Sequence, residues 1–201
     1  MTRTIAALIA LALLGAGVAG CSSGTTTPTA APSVGQSLPS FGSLEEPDVP
    51  ENFMTYDGGA YSFAYPEEWE LVERQGSDGP VVVVEGPVTS AGLPQQFIVA
   101  TQDNYAGDMD LVVNAFDFVR TLPEQEVLRD ERVAFMGEVE AQVTDRTFDA
   151  PTASGQARAR TLELRLITAE RLLVATSART SSADFEASPL PVVFDSFRLA
   201  T

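Results

Sequence analysis

Residues 53–69 read FMTYDGGAYSFAYPEEW, and this stretch decides the fold. Two strand-like runs flank the DGG sequence at 57–59, which is typical of a tight hairpin turn. Side chains alternate between the two faces of a strand, so Tyr61, Phe63 and Tyr65 share one face. A face with three aromatic rings must be buried, and the stretch therefore predicts a sheet that packs on the protein core.

The rest of the chain is mostly strand, with two helices. A helix is predicted from Asp108, which can cap it, to Leu122, because Pro123 cannot continue it. A C-terminal helix is predicted over 182–194, with a second segment beginning at Pro189. The remaining strands are predicted at 70–74, 81–85, 97–101, 126–136, 138–147, 156–168 and 171–180.

Strands and helices do not alternate regularly along the chain, which argues against a parallel sheet built from βαβ units. The order of elements instead predicts an α+β fold in which an antiparallel sheet is covered by helices. Residues 51–201 are sufficient for one ordinary domain and too few for two. We therefore expect one globular domain over 51–201.

The N-terminus has the layout of a secretory signal. Arg3 precedes an apolar run at 5–14, which is shorter than the roughly 20 residues that span a bilayer. Small residues at 18–20 lead to Cys21, the only cysteine of the chain. The pattern predicts a lipoprotein signal peptide over 1–20 and a lipid on Cys21 that holds the protein at the extracytoplasmic face of the cell membrane. The alternative is an uncleaved N-terminal membrane helix.

Residues 21–50 are predicted to form a lipidated, disordered tether rich in Ser, Thr and Pro. Little of this segment can bury apolar area, so no packed structure is expected. A flexible chain of this length reaches about 30 Å. Its Thr/Pro cluster at 25–32 is a candidate for O-linked sugar, and Phe41 and Leu44 are candidates to fold back onto the domain.

The composition excludes several classes of function. The formal net charge is −16, which disfavours nucleic acid, because nucleic-acid binding depends on cationic contacts to phosphate. The chain has no histidine and no lysine, which excludes Ser–His–Asp triads, Cys–His pairs and Ser–Lys dyads. Zinc sites of the Cys/His type are excluded for the same reason. We expect no catalytic activity, no cofactor and no metal site.

Three pairs of carboxylates need a separate account, because paired acids can hydrolyse glycosides or bind calcium. Asp108 and Asp110 are expected to cap and stabilise the first turn of the predicted helix. Glu67-Glu68 is expected to be a solvated turn, and the third pair is Asp130-Glu131. A hydrolase built on such a pair is the least favoured class of function.

Two motifs resemble a known family. Residues 61–69, YSFAYPEEW, resemble the F-x-Y-P-x-x-W opening of the PsbP-like fold, and residues 194–198, FDSFR, resemble its closing segment. With the lipobox and the Thr/Pro tether, residues 52–201 are similar to the LpqN/LpqT group of actinobacterial lipoproteins. This resemblance implies a PsbP-like α/β/α sandwich around a central antiparallel sheet. It also implies a role in envelope binding or assembly, and it carries over no catalytic residues.

Four side chains are candidates to contact a ligand or partner. Trp69 and Tyr61 either line a pocket for an apolar ligand or belong to the core. Arg158 and Arg160 share the face of the leucines that follow them, where charge is unexpected. They either bind an anionic ligand at the rim of a cleft, or are solvated where the strand frays, or form salt bridges with nearby carboxylates.

These observations leave two main hypotheses for function. The first is a non-catalytic binding or adaptor lipoprotein that contacts an envelope protein or a cell-wall component such as a lipid. The second is a carrier or sensor of a small apolar or lipidic ligand, with a pocket formed by the aromatic strand face and the loop at 86–95. The membrane is the expected partner in both, through the lipid on Cys21.

Overall fold

The computed structural model of the protein describes residues 38–42, 45, 47–117 and 124–200. The predicted signal peptide, the lipidation site Cys21 and residues 118–122 of the predicted helix lie outside these residues. No helix within the described ranges is long and apolar enough to cross a membrane.

The described part of the chain contains eleven strands and two helices. The strands are β1 (Ser40–Phe41), β2 (Phe53–Asp57), β3 (Tyr61–Pro66), β4 (Glu70–Gln75), β5 (Pro80–Val88), β6 (Pro94–Gln102), β7 (Glu126–Phe135), β8 (Val139–Thr152), β9 (Gly155–Ile167), β10 (Leu173–Ser181) and β11 (Arg198–Leu199). The helices are α1 (Met109–Asp117) and α2 (Leu190–Asp195).

Eight strands form one large sheet in the order β1-β7-β8-β9-β10-β6-β5-β4. Strands β7 to β10 form one antiparallel meander and β4 to β6 another, and the pairing of β10 with β6 joins them. The one parallel pair among these strands is β1 with β7. The sequence therefore predicted the antiparallel arrangement correctly.

The aromatic hairpin belongs to a second sheet of three strands, in the order β11-β3-β2. Strand β3 is central, because Arg198 and Leu199 pair with Ser62 and Tyr61 on one side while β2 pairs on the other. The Ser196 hydroxyl fixes the C-terminal segment to this sheet by accepting a hydrogen bond of 2.8 Å from the Ala64 backbone N–H.

The main core lies between the small sheet, helix α2 and one face of the large sheet. Phe63 of β3, Phe97 of β6 and Phe197 are each at most 1% exposed. The Phe63 and Phe97 rings meet edge to face with their centroids 5.0 Å apart, a geometry that aromatic pairs prefer. The shared face predicted for Tyr61, Phe63 and Tyr65 is confirmed, since all three are buried in this core.

Helix α1 contacts the other face of the large sheet, against β8 and β9. The Asp108 carboxylate accepts a hydrogen bond of 2.9 Å from the Leu111 N–H, which confirms its predicted capping role. Met109 and Val112 bury against Leu173 of β10, whereas Leu111 is 54% exposed.

The predicted helical layers are not confirmed. The fold is α+β but dominated by sheet, and a three-stranded sheet occupies most of the place expected for a helix layer on the core side. The C-terminal helix is shorter than predicted, because α2 begins only at Leu190. Residues 182–188 form turns, in which the Ser188 N–H donates to the Asp184 and Phe185 carbonyls, and Pro189 has no N–H to continue this bonding.

The end of the predicted tether folds back onto the domain. Ser40 and Phe41 pair with Ala134 and Phe135 of β7. The Phe41 ring packs edge to face on Phe194, with centroids 6.2 Å apart. The prediction that Phe41 returns to the domain is confirmed, while Leu44 lies outside the described residues.

Candidate functional site

A cleft of about 500 Å³ opens between the β2–β3 hairpin and the ends of β4, β5 and β6. This volume is within the usual range for small-molecule sites, which is roughly 300–1,000 Å³. We call it the hairpin cleft. Its lining includes Tyr56, Gly58, Tyr61, Glu73, Thr101 and Asp103.

Two tyrosines and one carboxylate, Tyr56, Tyr61 and Glu73, line the hairpin cleft together. The Glu73 carboxylate lies close enough to act electrostatically on both phenols. The tyrosine rings lie with their centroids 6.0 Å apart. Tyr61 is only 5% exposed, so the cleft reaches the edge of the core, whereas Glu73 is exposed at its mouth.

The surroundings keep both phenols neutral. Burial raises the pKa of Tyr61 strongly, and the adjacent Tyr56 and Glu73 raise it further. Burial also raises the pKa of Tyr56, with Glu73 and then Asp57 adding to the effect by disfavouring a second negative charge. The hydroxyls therefore act as neutral hydrogen-bonding groups throughout the physiological pH range.

Gly58 allows the hairpin turn to lie against the tyrosine rings. A Cβ atom at this position would lie 3.0 Å from Tyr56 Cε1 and 3.1 Å from Tyr61 Cζ, closer than ordinary contact. A larger residue would push on both rings. The DGG turn recognised in the sequence thus serves the cleft as well as the hairpin.

The two predicted pocket aromatics do not meet. Tyr61 lies at one end of β3 and borders the hairpin cleft, while Trp69 follows the other end of the strand. Trp69 is 5% exposed and packs against Gly86, where a Cβ would approach Trp69 Cε2 to 2.3 Å. Trp69 is therefore a core residue, as the alternative interpretation of the sequence held.

The loop at 86–95 does not line the hairpin cleft. Thr89, Ser90 and Gln95 border a different, more open cavity of about 260 Å³, with Asp184 on its other side. The pocket predicted from the aromatic face and this loop therefore does not form as one site. Of its predicted members, Tyr61 is the one that borders the larger cavity.

Arg160 is neutralised by the protein itself. Its Nε and Nη2 atoms donate to both carboxylate oxygens of Asp145, at 3.0 and 2.8 Å, and Nη1 donates to Glu186 at 2.6 Å. The hydrogen bonds to Asp145 raise the pKa of Arg160 most, and the hydrogen bond to Glu186 raises it further. The guanidinium also lies 4.6 Å from the centre of the Phe185 ring.

Arg158 is also paired, in a more exposed setting. Its Nη2 donates to the Thr147 hydroxyl at 2.7 Å, and its Nη1 to the Glu124 carbonyl at 2.8 Å. Asp149 is within 3.3 Å. Strand β9 is continuous from Gly155, so the prediction of a frayed strand is wrong and the salt-bridge alternative is confirmed for both arginines. A contact of either one with a ligand or partner stays a prediction.

The carboxylate pairs have structural roles or are solvated. Asp108 caps α1, and Asp110 forms an ion pair with Arg132 of β7. Glu67 and Glu68 are exposed in a turn, as predicted. Within the described ranges, no group of three or more acidic side chains is arranged to hold a metal ion.

Tyr56 and Glu73 are the cleft residues that sequence reasoning missed. Tyr56 lies on β2 and Glu73 on β4, and these strands belong to different sheets. Their proximity follows from the way the sheets stack, which no local pattern encodes. A partial signal was present, because Tyr56 pairs with Phe63 across the hairpin and so shares its inward face.

The comparisons with known proteins support the fold. No family model matches the chain, and no curated protein matches it. The crystal structure of LpqN from Mycobacterium tuberculosis, described as involved in cell envelope biogenesis, is similar with a TM-score of 0.50 and 11% identity. The match covers 74% of this chain and 92% of LpqN. The similarity shows a related fold, as the sequence resemblance implied.

Two further solved structures match more loosely. A protein of unknown function from Pseudomonas aeruginosa has a TM-score of 0.43 at 14% identity, over 68% of this chain and 88% of that one. A protein from Bacteroides thetaiotaomicron has a TM-score of 0.43 at 11% identity, over 75% of this chain and 49% of that one.

Proposed function

We propose that this protein is a non-catalytic binding lipoprotein of the cell envelope that takes a small ligand into the hairpin cleft. Cys21 carries the lipid anchor, and the domain lies on the extracytoplasmic side of the membrane. The observation that supports this proposal most is the cleft of about 500 Å³ walled by Tyr56, Tyr61 and Glu73.

The shape of the cleft favours ligand binding over a purely structural role. Tyr61 gives the cleft a buried aromatic wall, and the hydroxyls and Glu73 provide polar groups that converge on the same space. Binding sites typically combine an apolar lining with a few such groups. The fold shared with LpqN, an envelope biogenesis protein, agrees with a role in the envelope.

The chemistry of the cleft favours binding over catalysis. The chain has no histidine, and its one cysteine is assigned to the lipid. The phenols are held neutral, so neither is a nucleophile at neutral pH. Glu73 is exposed at the mouth of the cleft, and its role is to hold and orient a ligand.

Native mass spectrometry of the full chain, purified from its own host in detergent, tests this proposal. The wild-type protein is expected to retain a bound small molecule. Ala60→Trp fills the hairpin cleft from an exposed position and is expected to lose it. Ala153→Trp, in the exposed β8–β9 turn, is the matched control and should keep the ligand. An equal ligand content in all three proteins contradicts the proposal.

A second candidate function is that of an adaptor for an envelope protein. Val127 and Leu128 of β7 are 43% and 49% exposed beside a bulge, and the residues of β7 that pair with β1 are only Ala134 and Phe135. Exposed apolar residues on a free strand edge are typical of a docking surface. Crosslinking in the native envelope from a photoreactive residue at position 128 tests this role. If a specific protein is captured from position 128 and none from position 60, the result favours the adaptor role over ligand binding in the hairpin cleft.

A further inference from the structure

We infer that the outer face of the large sheet, the face turned away from the small sheet, carries a second binding site, at which Arg179 binds the phosphate or carboxylate group of a small molecule. Arg179 lies on this outer face because Ala178, its neighbour on β10, is buried in the main core on the other face. The site shares no residue with the hairpin cleft, so the inference is independent of the proposed function.

Arg146, Thr161 and Arg179 lie side by side across three neighbouring strands. Thr161 of β9 pairs with Arg146 of β8 on one side and with Arg179 of β10 on the other. The side chains of residues that pair directly lie on the same face of a sheet. Both guanidinium groups also lie over one aromatic ring, 5.8 and 5.1 Å from the centre of Phe148. The fold therefore brings two positive charges together on one ring.

The groups of this cluster that have no hydrogen-bond partner are all able to donate. The Thr161 hydroxyl and the Arg146 Nε atom are buried without a partner. Arg146 Nη2 donates to Glu163 at 2.8 Å, but Arg165 also donates to that carboxylate. The Arg179 guanidinium forms neither a hydrogen bond nor an ion pair with any residue in the described part of the chain. The cluster thus has more donors than acceptors, and an added acceptor would be favourable.

The electrostatic surroundings also favour an anion beside Arg179. The positive charge of Arg146 adds to burial in lowering the pKa of Arg179, so the two guanidinium groups repel each other in the free protein. A bound anion would offset this repulsion. Arginine binds carboxylate and phosphate groups through two parallel N–H···O bonds, and the half-buried side chain of Arg179 is still reached by solvent.

The net charge of the protein limits the ligand to a small one. The chain carries a formal charge of −16, so the field of the whole protein repels an extended anion such as a nucleic acid or an anionic bilayer. A single phosphate or carboxylate group needs only the local attraction of Arg146 and Arg179. The inference is therefore a site for a small molecule that carries one such group.

Inorganic phosphate and acetate test this inference in the full-length, ¹⁵N-labelled protein in detergent. Each is titrated at constant ionic strength, with sodium chloride as the reference, and NMR follows the Nε–H signals of Arg146 and Arg179. We expect the Arg179 signal to shift to saturation with both anions. Phosphate should bind more tightly than acetate, because it carries the larger negative charge at neutral pH. Higher ionic strength should weaken both.

Two arginine variants locate the site, with binding followed at the Arg146 signal. Arg179→Gln removes the unpaired guanidinium and is expected to weaken phosphate binding by at least about tenfold. Arg129→Gln is the matched control, because Arg129 also lies over a phenylalanine ring, 4.9 Å from the centre of Phe41, but is paired with Glu131. It removes the same charge and should leave phosphate binding unchanged. Circular dichroism checks the folding of each variant.

The wild-type titration can overturn the inference without any variant. If neither anion shifts the Arg179 signal to saturation, Arg179 is not an anion site. Phosphate binding that survives Arg179→Gln also overturns the inference, as does equal weakening by Arg129→Gln, since net charge alone would then explain the effect. None of these results bears on the hairpin cleft, which is tested by ligand retention in the Ala60→Trp variant.

Discussion

Arg160 and Arg158 differ in how much the fold depends on them, although they are two residues apart on the same face. The side chains of Arg160 and Asp145 are 20% and 11% exposed, so their bidentate pair is largely removed from water. The side chains of Arg158 and Glu126 are 38% and 66% exposed. Removing one partner of a buried pair leaves the other charge uncompensated, whereas an exposed pair contributes little.

We predict that Arg160→Ala destabilises the protein by about 3 kcal/mol, because it leaves Asp145 buried without a partner. Arg158→Ala, the matched variant, is expected to cost about 1 kcal/mol or less. Urea unfolding followed by Trp69 fluorescence measures both. Equal losses for the two variants would show that burial does not separate the two arginines.

Tyr61 gives a second prediction at this scale, in its response to pH. Burial raises the pKa of Tyr61 in the folded state above that of an unfolded tyrosine, which is about 10. Its contribution to stability is thus complete below about pH 10 and is lost above it, because the unfolded chain then gains free energy by ionising. Tyr61→Phe should lose less stability than wild type between about pH 8 and pH 11. The free energy of unfolding at the two pH values measures this, and equal losses count against the assignment.

Arg179 is a residue whose half-buried position was not foreseen. Its guanidinium lies 5.1 Å from the centre of the Phe148 ring, and among the described residues no carboxylate forms a salt bridge with it. Burial lowers the pKa of Arg179, and the positive charge of Arg146 lowers it further. The local sequence, alternating apolar and small residues, gave no indication that this arginine would be half-buried.

At the scale of elements, the turn between β3 and β4 depends on close packing of Trp69 on β5. Gly86 has no side chain, and the Trp69 ring occupies the space where a Cβ would be. The ring is buried in the same core cluster as Val84, which is fully buried. The Pro-Glu-Glu-Trp motif therefore fixes the chain at the point where it crosses from the small sheet to the large one.

We predict that Gly86→Ala destabilises the protein by about 1–3 kcal/mol, the usual cost of overpacking a core. Trp69→Phe leaves a smaller ring, so the double variant should lose less than the sum of the two single losses. Chemical unfolding of the four proteins, followed by circular dichroism, provides the measurement. Additive losses would contradict direct contact between the two positions.

The sequence predicted most of the strands correctly but predicted the helices less well. Two segments show the physical reasons. The strands β7 and β8 were predicted on either side of Gly137, which has φ +76° at the turn, and apolar and polar residues alternate over 138–143. The segment at 182–188 was mistaken for helix because its composition is compatible with one. It forms turns instead, and Pro189, which has no N–H, separates these turns from α2.

At the scale of the molecule, the second sheet could not have been predicted from local patterns. It forms because β11 pairs with β3 across more than half of the described chain, with Arg198 opposite Ser62. The hairpin cleft depends on the same long-range pairing, since the stacked sheets bring Tyr56 to Glu73. Tyr61, by contrast, was named from its alternation alone. The two residues that depend on long-range contacts, Tyr56 and Glu73, were therefore not predicted.

The membrane anchor gives a prediction for the whole molecule. We expect the protein from its own host to begin at Cys21 and to carry a diacylglycerol, and Cys21→Ser to prevent release of residues 1–20. Intact-mass spectrometry and cell fractionation measure both. Ser22→Ala is the control and should leave lipidation unchanged. An unmodified Cys21 thiol in the mature wild-type protein would contradict the anchor.

The central claim is that the hairpin cleft holds a ligand, and a crystal structure of the full chain purified from its own host tests it most directly. The account predicts electron density for a small molecule in the cleft, in contact with the Tyr61 ring and within hydrogen-bond distance of Glu73. A structure in which this cleft holds only solvent, while a ligand occupies the cavity beside Thr89 and Asp184, would contradict it.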